Sequence, residues 1–152
     1  MQVSQAVPRD VIYRMLFREI AAYQNEADQL AAQSKPDAFV RNYHQQVLQL
    51  TSDQAAQLIP IALACAQQIQ SFDAQASAII NVIKQQYRRS PGILVPPPPT
   101  QLQQLEGQRS AAAIASADSI AVASGPEAFA SFEALVQQHI GAGLKIGQQS
   151  VK

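Results

Sequence analysis

Apolar residues recur at steps of three and four through most of the chain, the spacing that places them on one face of an α-helix. Ile12, Leu16, Ile20, Tyr23, Ala27 and Leu30 make the first such face. Pro8 or Arg9 opens this helix, since proline is tolerated at a first helical position, and Asp10 suits the positive end of the helix dipole. Arg14, Arg18, Glu26 and Asp28 lie largely off the apolar face, and Asp10 stands one turn before Arg14, placed for an i,i+4 pair. Gln33-Ser34-Lys35-Pro36 stops the helix, because the residue before a proline is pushed out of the α region. A shorter helix is predicted from Pro36 or Asp37 to Gln49, with Phe39, Val40, Tyr43, Val47 and Leu48 apolar and Asp37 four residues before Arg41. It is expected to fold back on the first.

The longest periodic run comes next. Leu58, Ile61, Cys65, Ile69, Phe72, Ala76, Ile79, Ile83 and Tyr87 average close to one helical turn per step. Thr51 followed three residues later by Gln54 is a capping box, Asp53 sits in the first turn, and Leu50 before the cap is positioned as a hydrophobic staple. One long central helix is therefore predicted from Thr51 to about Arg88. Pro60 removes a backbone donor and clashes with the carbonyl of Ala56, so a kink or a restart is expected there. Arg88-Arg89-Ser90-Pro91-Gly92 ends the helix, with cations at its negative end. Ile93-Leu94-Val95 are expected to tuck into the core ahead of Pro96-Pro97-Pro98-Pro99, a stiff polyproline strap spanning roughly 12 Å.

A fourth helix is predicted from about Thr100 or Gln101 to Ser124, with Leu102, Leu105, Ala112 or Ala113, Ala117 and Ile120 on one face and Ile114 and Val122 on another. Two apolar faces imply packing on both sides, within the monomer or across a dimer. Gly125-Pro126 breaks the chain, and Phe129, Phe132, Val136 and Ile140 form the stripe of a fifth helix that Gly141 and Gly143 are expected to end. A mobile tail is expected from Gly141 to Lys152, although Leu144 and Ile146 are able to dock. The fold class is thus all-α: about five helices around one long central helix at 51–88, a strap at 96–99, and a single domain over 1–152.

Composition changes the picture in one respect. Lys+Arg and Asp+Glu balance at 11 each, and only 14% of residues are charged, which leaves no electrostatic footprint for nucleic acid. The polar surface comes instead from glutamine, which like alanine supplies roughly one residue in six. Both favour helix, alanine because it loses no side-chain entropy and glutamine because its straight chain loses little. No run approaches the ~18 apolar residues of a membrane span. Met1 ahead of the polar Gln2-Val3-Ser4-Gln5-Ala6 looks like a start codon before a mature, signal-cleaved N-terminus. With the low-charge Gln/Ala composition it points to a periplasmic or secreted protein, the alternative being cytoplasmic.

Candidate chemistry is sparse. His44, His139, Cys65 and Met15 are far apart in sequence, and none falls in a spacing that puts two ligands on one helical face, so no metal, cofactor or catalytic residue is assigned. His139 is placed in the last turn of the fifth helix, His44 on a polar face with Arg41, and Met15 and Cys65 in or near the core. Cys65 on an apolar stripe is expected to be a buried, inert thiol. Asp73 and Asp118 are the candidates for a carboxylate pair, each able instead to face solvent or pair with Arg109.

Leu50-Thr51-Ser52-Asp53-Gln54 resembles the LTxxQ signature of the bacterial periplasmic Spy/CpxP-type proteins. The resemblance rests on Leu50, Thr51 and Gln54, whose role is structural, and capping alone accounts for the same residues. It implies a small exported helical dimer, shaped as a cradle, that shields unfolded clients without ATP or senses envelope stress. The expected function is therefore non-enzymatic: an exported helical protein binding other proteins, or itself as a homodimer or larger, through an amphipathic helix surface. The alternative is a structural homo-oligomer or assembly subunit. A third reading is an enzyme or small-ligand carrier with Asp73, Asp118, Cys65 or His44 lining a pocket between helices.

Overall fold

The computed structural model describes residues 7–89 and 100–150, with side chains described at 7–86, 88 and 100–140. Among the described residues the secondary structure is entirely helical: α1 Arg9–Ala32, α2 Ala38–Arg41, α3 Tyr43–Val47, α4 Ser52–Arg89, α5 Thr100–Ser124 and α6 Pro126–Ser150. The strap at 96–99, with Ile93 to Val95, lies outside the described residues. The single helix expected over 37–49 is two short ones joined at Asn42. Its Asp37–Arg41 pair forms nonetheless, at 2.8 Å, as does Asp10–Arg14 at 3.4 Å.

α1 and α3 both end in left-handed residues that are not glycine, Ser34 at φ 58° and Gln49 at φ 54°. Behind each, the chain closes a Schellman motif. Lys35 N–H donates to Leu30 O at 2.8 Å and Ser34 N–H to Ala31 O at 3.0 Å; Leu50 N–H donates to Gln45 O at 2.8 Å and Gln49 N–H to Gln46 O at 3.2 Å. Leu50 is thus both the residue that finishes α3 and the staple before the α4 cap, and its side chain packs against the core. α4 runs unbroken from Ser52 to Arg89 with Pro60 inside it, on the exposed side. A proline there removes one ladder bond without ending the helix, because the turns on either side are held by packing.

Gly141 and Gly143 do not end α6, whose backbone stays helical to Ser150. Each glycine costs about 1 kcal/mol relative to alanine in a helix, which weakens a helix flanked by Ala142, Leu144 and Ile146 without stopping it. Gly125, at φ 87°, does make a break: its N–H closes α5 onto Ala121 O at 3.0 Å and its carbonyl opens α6 by accepting from Phe129 N–H at 2.9 Å.

α1 packs against α2, α4, α5 and α6, and α4 packs most extensively against α5. Cys65 Sγ meets Ala112 O at 3.6 Å and Arg109 meets Asp73 at 3.1 Å, so ascending positions on α4 face descending positions on α5, an antiparallel hairpin. The core is built from Tyr13, Leu16, Phe17 and Ile20 of α1, Leu58, Ala62 and Cys65 of α4, Ala113, Ala117 and Ile120 of α5, and Phe129, Phe132, Val136 and Ile140 of α6. The small residues Ala62, Ala113 and Ala117, all 0% exposed, let α1, α4 and α5 approach closely, as the alanine content implies.

Burial along α4 is not uniform. Ala55, Leu58, Ala62 and Cys65 are buried, whereas Ile69, Phe72, Ala76, Ile79 and Ile83 are only half-buried and Ile80 and Val82 are exposed. The apolar stripe continues past the cover of α1, with α5 beside it among the described residues.

Candidate binding cleft and histidine cluster

Where α1, α4 and α5 diverge, a cleft of about 510 Å³ opens between them. Val11, Met15 and Ala21 on α1 and Ala66 and Ile69 on α4 give it an apolar surface, and Arg14, Arg18, Asp73 and Arg109 give it charge. Met15, expected near the core, is 39% exposed here: it sits one position before Leu16 on α1, on the edge of the buried face and not within it. Asp73 and Arg109 pair across the cleft between α4 and α5, and Arg109 also reaches Glu106 at 3.1 Å. Arg14 reaches Glu106 at 3.3 Å in addition to Asp10, whose Oδ2 also accepts from Ser110 at 2.8 Å. The Nε atoms of Arg14 and Arg109 are nonetheless shielded from solvent with no hydrogen-bond acceptor; for Arg109 the Asp73 carboxylate is close enough for an ion pair but not aligned for a hydrogen bond. A shielded N–H without an acceptor is unfavourable by roughly 1–3 kcal/mol, a cost that the fold carries at both positions.

Asp118, the other candidate carboxylate, is exposed and pairs with Arg9 at 3.6 Å. Each aspartate therefore has its own arginine, and no acid-base pair is assembled from the two. Cys65 is buried, its thiol pushed up by burial and its Sγ directed at Ala112 O, the inert placement expected from its stripe.

The two histidines are not where their sequence neighbourhoods place them. His44 is 1% exposed instead of lying on a polar face, because the break at Asn42 turns α3 so that this side chain points at α1. His139 is mid-helix, since α6 continues beyond it. Both meet on Glu19 of α1: His44 Nε2 lies 2.7 Å and His139 Nε2 2.8 Å from the same oxygen, Glu19 Oε1. A carboxylate only accepts, so both imidazoles donate. Burial opposes the Glu19 charge, but the donors of His139 and His44 outweigh it and hold the carboxyl below the usual range. Burial likewise pushes His44 down, against the pull of Glu19, so the ring is neutral at neutral pH. Tyr43 stacks edge-on to His44 with centroids 5.1 Å apart and lies 6.1 Å from His139, while Tyr23 closes on His44 at 5.0 Å. Glu19 escaped the sequence reading because it lies beside the apolar stripe like any surface acid; only the fold shows that two other elements converge there.

No protein-family model matches the chain, and neither a curated protein nor a solved structure is significantly similar to it. Among the described residues no helix is long and apolar enough to cross a membrane.

Proposed function

We propose that this is a non-enzymatic binding protein whose cleft between α1, α4 and α5 takes an amphipathic segment of another protein. The observation that carries the reading is the make-up of the cleft wall: a half-exposed, flexible Met15 beside Val11 and Ile69, next to the guanidinium groups of Arg14, Arg18 and Arg109. Methionine adapts to varied apolar shapes, and guanidinium groups suit carboxylates of a bound chain. Three arginines against one aspartate line the cleft, so acidic side chains beside the apolar ones of a bound segment are favoured. In its most concrete form the protein is an exported, ATP-independent chaperone of the Spy/CpxP type, acting on unfolded clients in the cell envelope. Equimolar protein is expected to slow aggregation of a chemically unfolded client, and Met15→Glu to abolish the effect while leaving helicity unchanged. Unimpaired suppression by Met15→Glu would move the binding surface elsewhere.

A second reading, a homo-oligomer, is favoured by the exposed Ile80 and Val82 on the half-covered end of α4 and by Val122 on α5, 86% exposed. Light scattering over a concentration series decides it: a rising mass supports self-association, a constant monomer mass excludes it.

A further inference from the structure

The structure assigns a second site, independent of the cleft: we propose that Glu19, His44 and His139 bind a divalent transition cation of the zinc class. Three different elements, α1, α3 and α6, deliver one carboxylate and two imidazoles to a single point, with their ligand atoms all within 4.8 Å of one another. Two nitrogens and one oxygen are the donor set that such cations prefer over calcium or magnesium. Zinc–nitrogen and zinc–oxygen bonds of about 2.0–2.2 Å in a tetrahedron require ligand atoms about 3.4 Å apart. The two contacts to Glu19 Oε1, now 2.7 and 2.8 Å, need to open by little more than half an ångström, and the two imidazole nitrogens, within 4.8 Å of each other, need to close by at most about 1.4 Å to reach the tetrahedral spacing.

Access and charge also fit. His44 is sealed behind Tyr43 and Tyr23, but the Glu19 and His139 side chains are 30% and 22% exposed, so a cation enters from the α1/α6 side and keeps its fourth position for water. On binding, each Nε2 gives up its proton. The ring proton moves to Nδ1 in each neutral imidazole, while the carboxylate supplies one negative charge toward the cation. His44 Nδ1 is shielded and has no acceptor for that proton. An acceptor for the outward ring N–H of a metal-bound histidine is worth about 10–100-fold in metal affinity, and its lack at His44 places the site among exchangeable metal sites and not among permanently occupied ones. A cation here ties α3 and α6 to α1, so metal binding stabilises the fold by mass action.

The test is a calorimetric titration of the chelator-stripped full chain with Zn2+, repeated for His139→Ala, His139→Gln and Glu19→Gln, with helicity read by circular dichroism and unfolding temperature read with and without metal. One equivalent is expected to bind and to raise the unfolding temperature. His139→Ala and His139→Gln, at a partly exposed position, are expected to remain helical and to lose affinity at least tenfold, Glu19→Gln similarly. No saturable binding to the stripped wild type, or binding that survives all three substitutions, overturns the assignment and leaves the cluster a hydrogen-bonded strut. Neither result bears on the cleft.

Discussion

Thr51 and Gln54 exchange hydrogen bonds across the first turn of α4: Thr51 N–H donates to Gln54 Oε1 at 2.9 Å and Gln54 N–H to Thr51 Oγ1 at 3.1 Å. Two donors that the helix itself cannot satisfy are paired reciprocally. Thr51→Ala is expected to lower stability by about 1 kcal/mol, and the double variant with Gln54→Ala to fall short of the summed single effects, since the two bonds support one geometry. Urea unfolding of the four proteins in the cycle measures both.

Two glycines with equally open surroundings are expected to respond with opposite sign. An added Cβ meets nothing within 4 Å at either Gly107 or Gly125. Gly107 lies inside α5, so Gly107→Ala is expected to stabilise by about 0.5–1 kcal/mol. Gly125 holds φ 87°, so Gly125→Ala is expected to destabilise by about 1–2 kcal/mol. Thermal unfolding of the pair checks it.

Core and stripe separate along α4 and α1. Leu16 is 0% exposed and Val82 is 53% exposed. Leu16→Ala is expected to cost about 2–5 kcal/mol through lost burial and a cavity, Val82→Ala under about 0.5 kcal/mol. Equal losses on denaturant unfolding would mean that the far end of α4 is as enclosed as its start.

Acid should loosen the α1–α3–α6 junction in two stages. His44 is held below its ordinary value of 6.5 by burial, so below that pH the unfolded chain binds the proton more readily and stability falls with pH. Glu19 is held below its ordinary 4.5, so its contribution is present above that value and is lost as pH falls through the folded one. The two effects have the same sign. Urea midpoints are expected to drop from pH 7 to 5, and His44→Asn to flatten this upper stage while keeping the lower one. His139 and Tyr43 face the same point, and their substitution is a control for the assignment to His44.

Most of the architecture is legible in the sequence because helix signals are local. The α4 start, the stop after Ala32, the Gly125 break and the Asp10–Arg14 and Asp37–Arg41 pairs all depend on residues within a turn of one another. Misplacements occurred where distant elements decide. Tyr13 and Phe17 are buried although they flank the main α1 stripe, because α1 is packed on several sides and not one. The single helix expected over 37–49 divides at Asn42, and that division is what turns His44 inward. Both sites are made by convergence of three elements, Glu19 with His44 and His139 and, one turn earlier on α1, Met15 with Ile69 and Arg109. No spacing within one helix encodes either.

The most direct test of cleft binding uses the burial of Cys65, which leaves a cysteine introduced at Met15 as the reactive thiol of choice. Met15→Cys carrying an environment-sensitive fluorophore is titrated with an unfolded client. A saturable blue shift is expected with increasing client, reversed by unlabelled wild type as competitor. An emission spectrum that stays unchanged while the client demonstrably binds would contradict it.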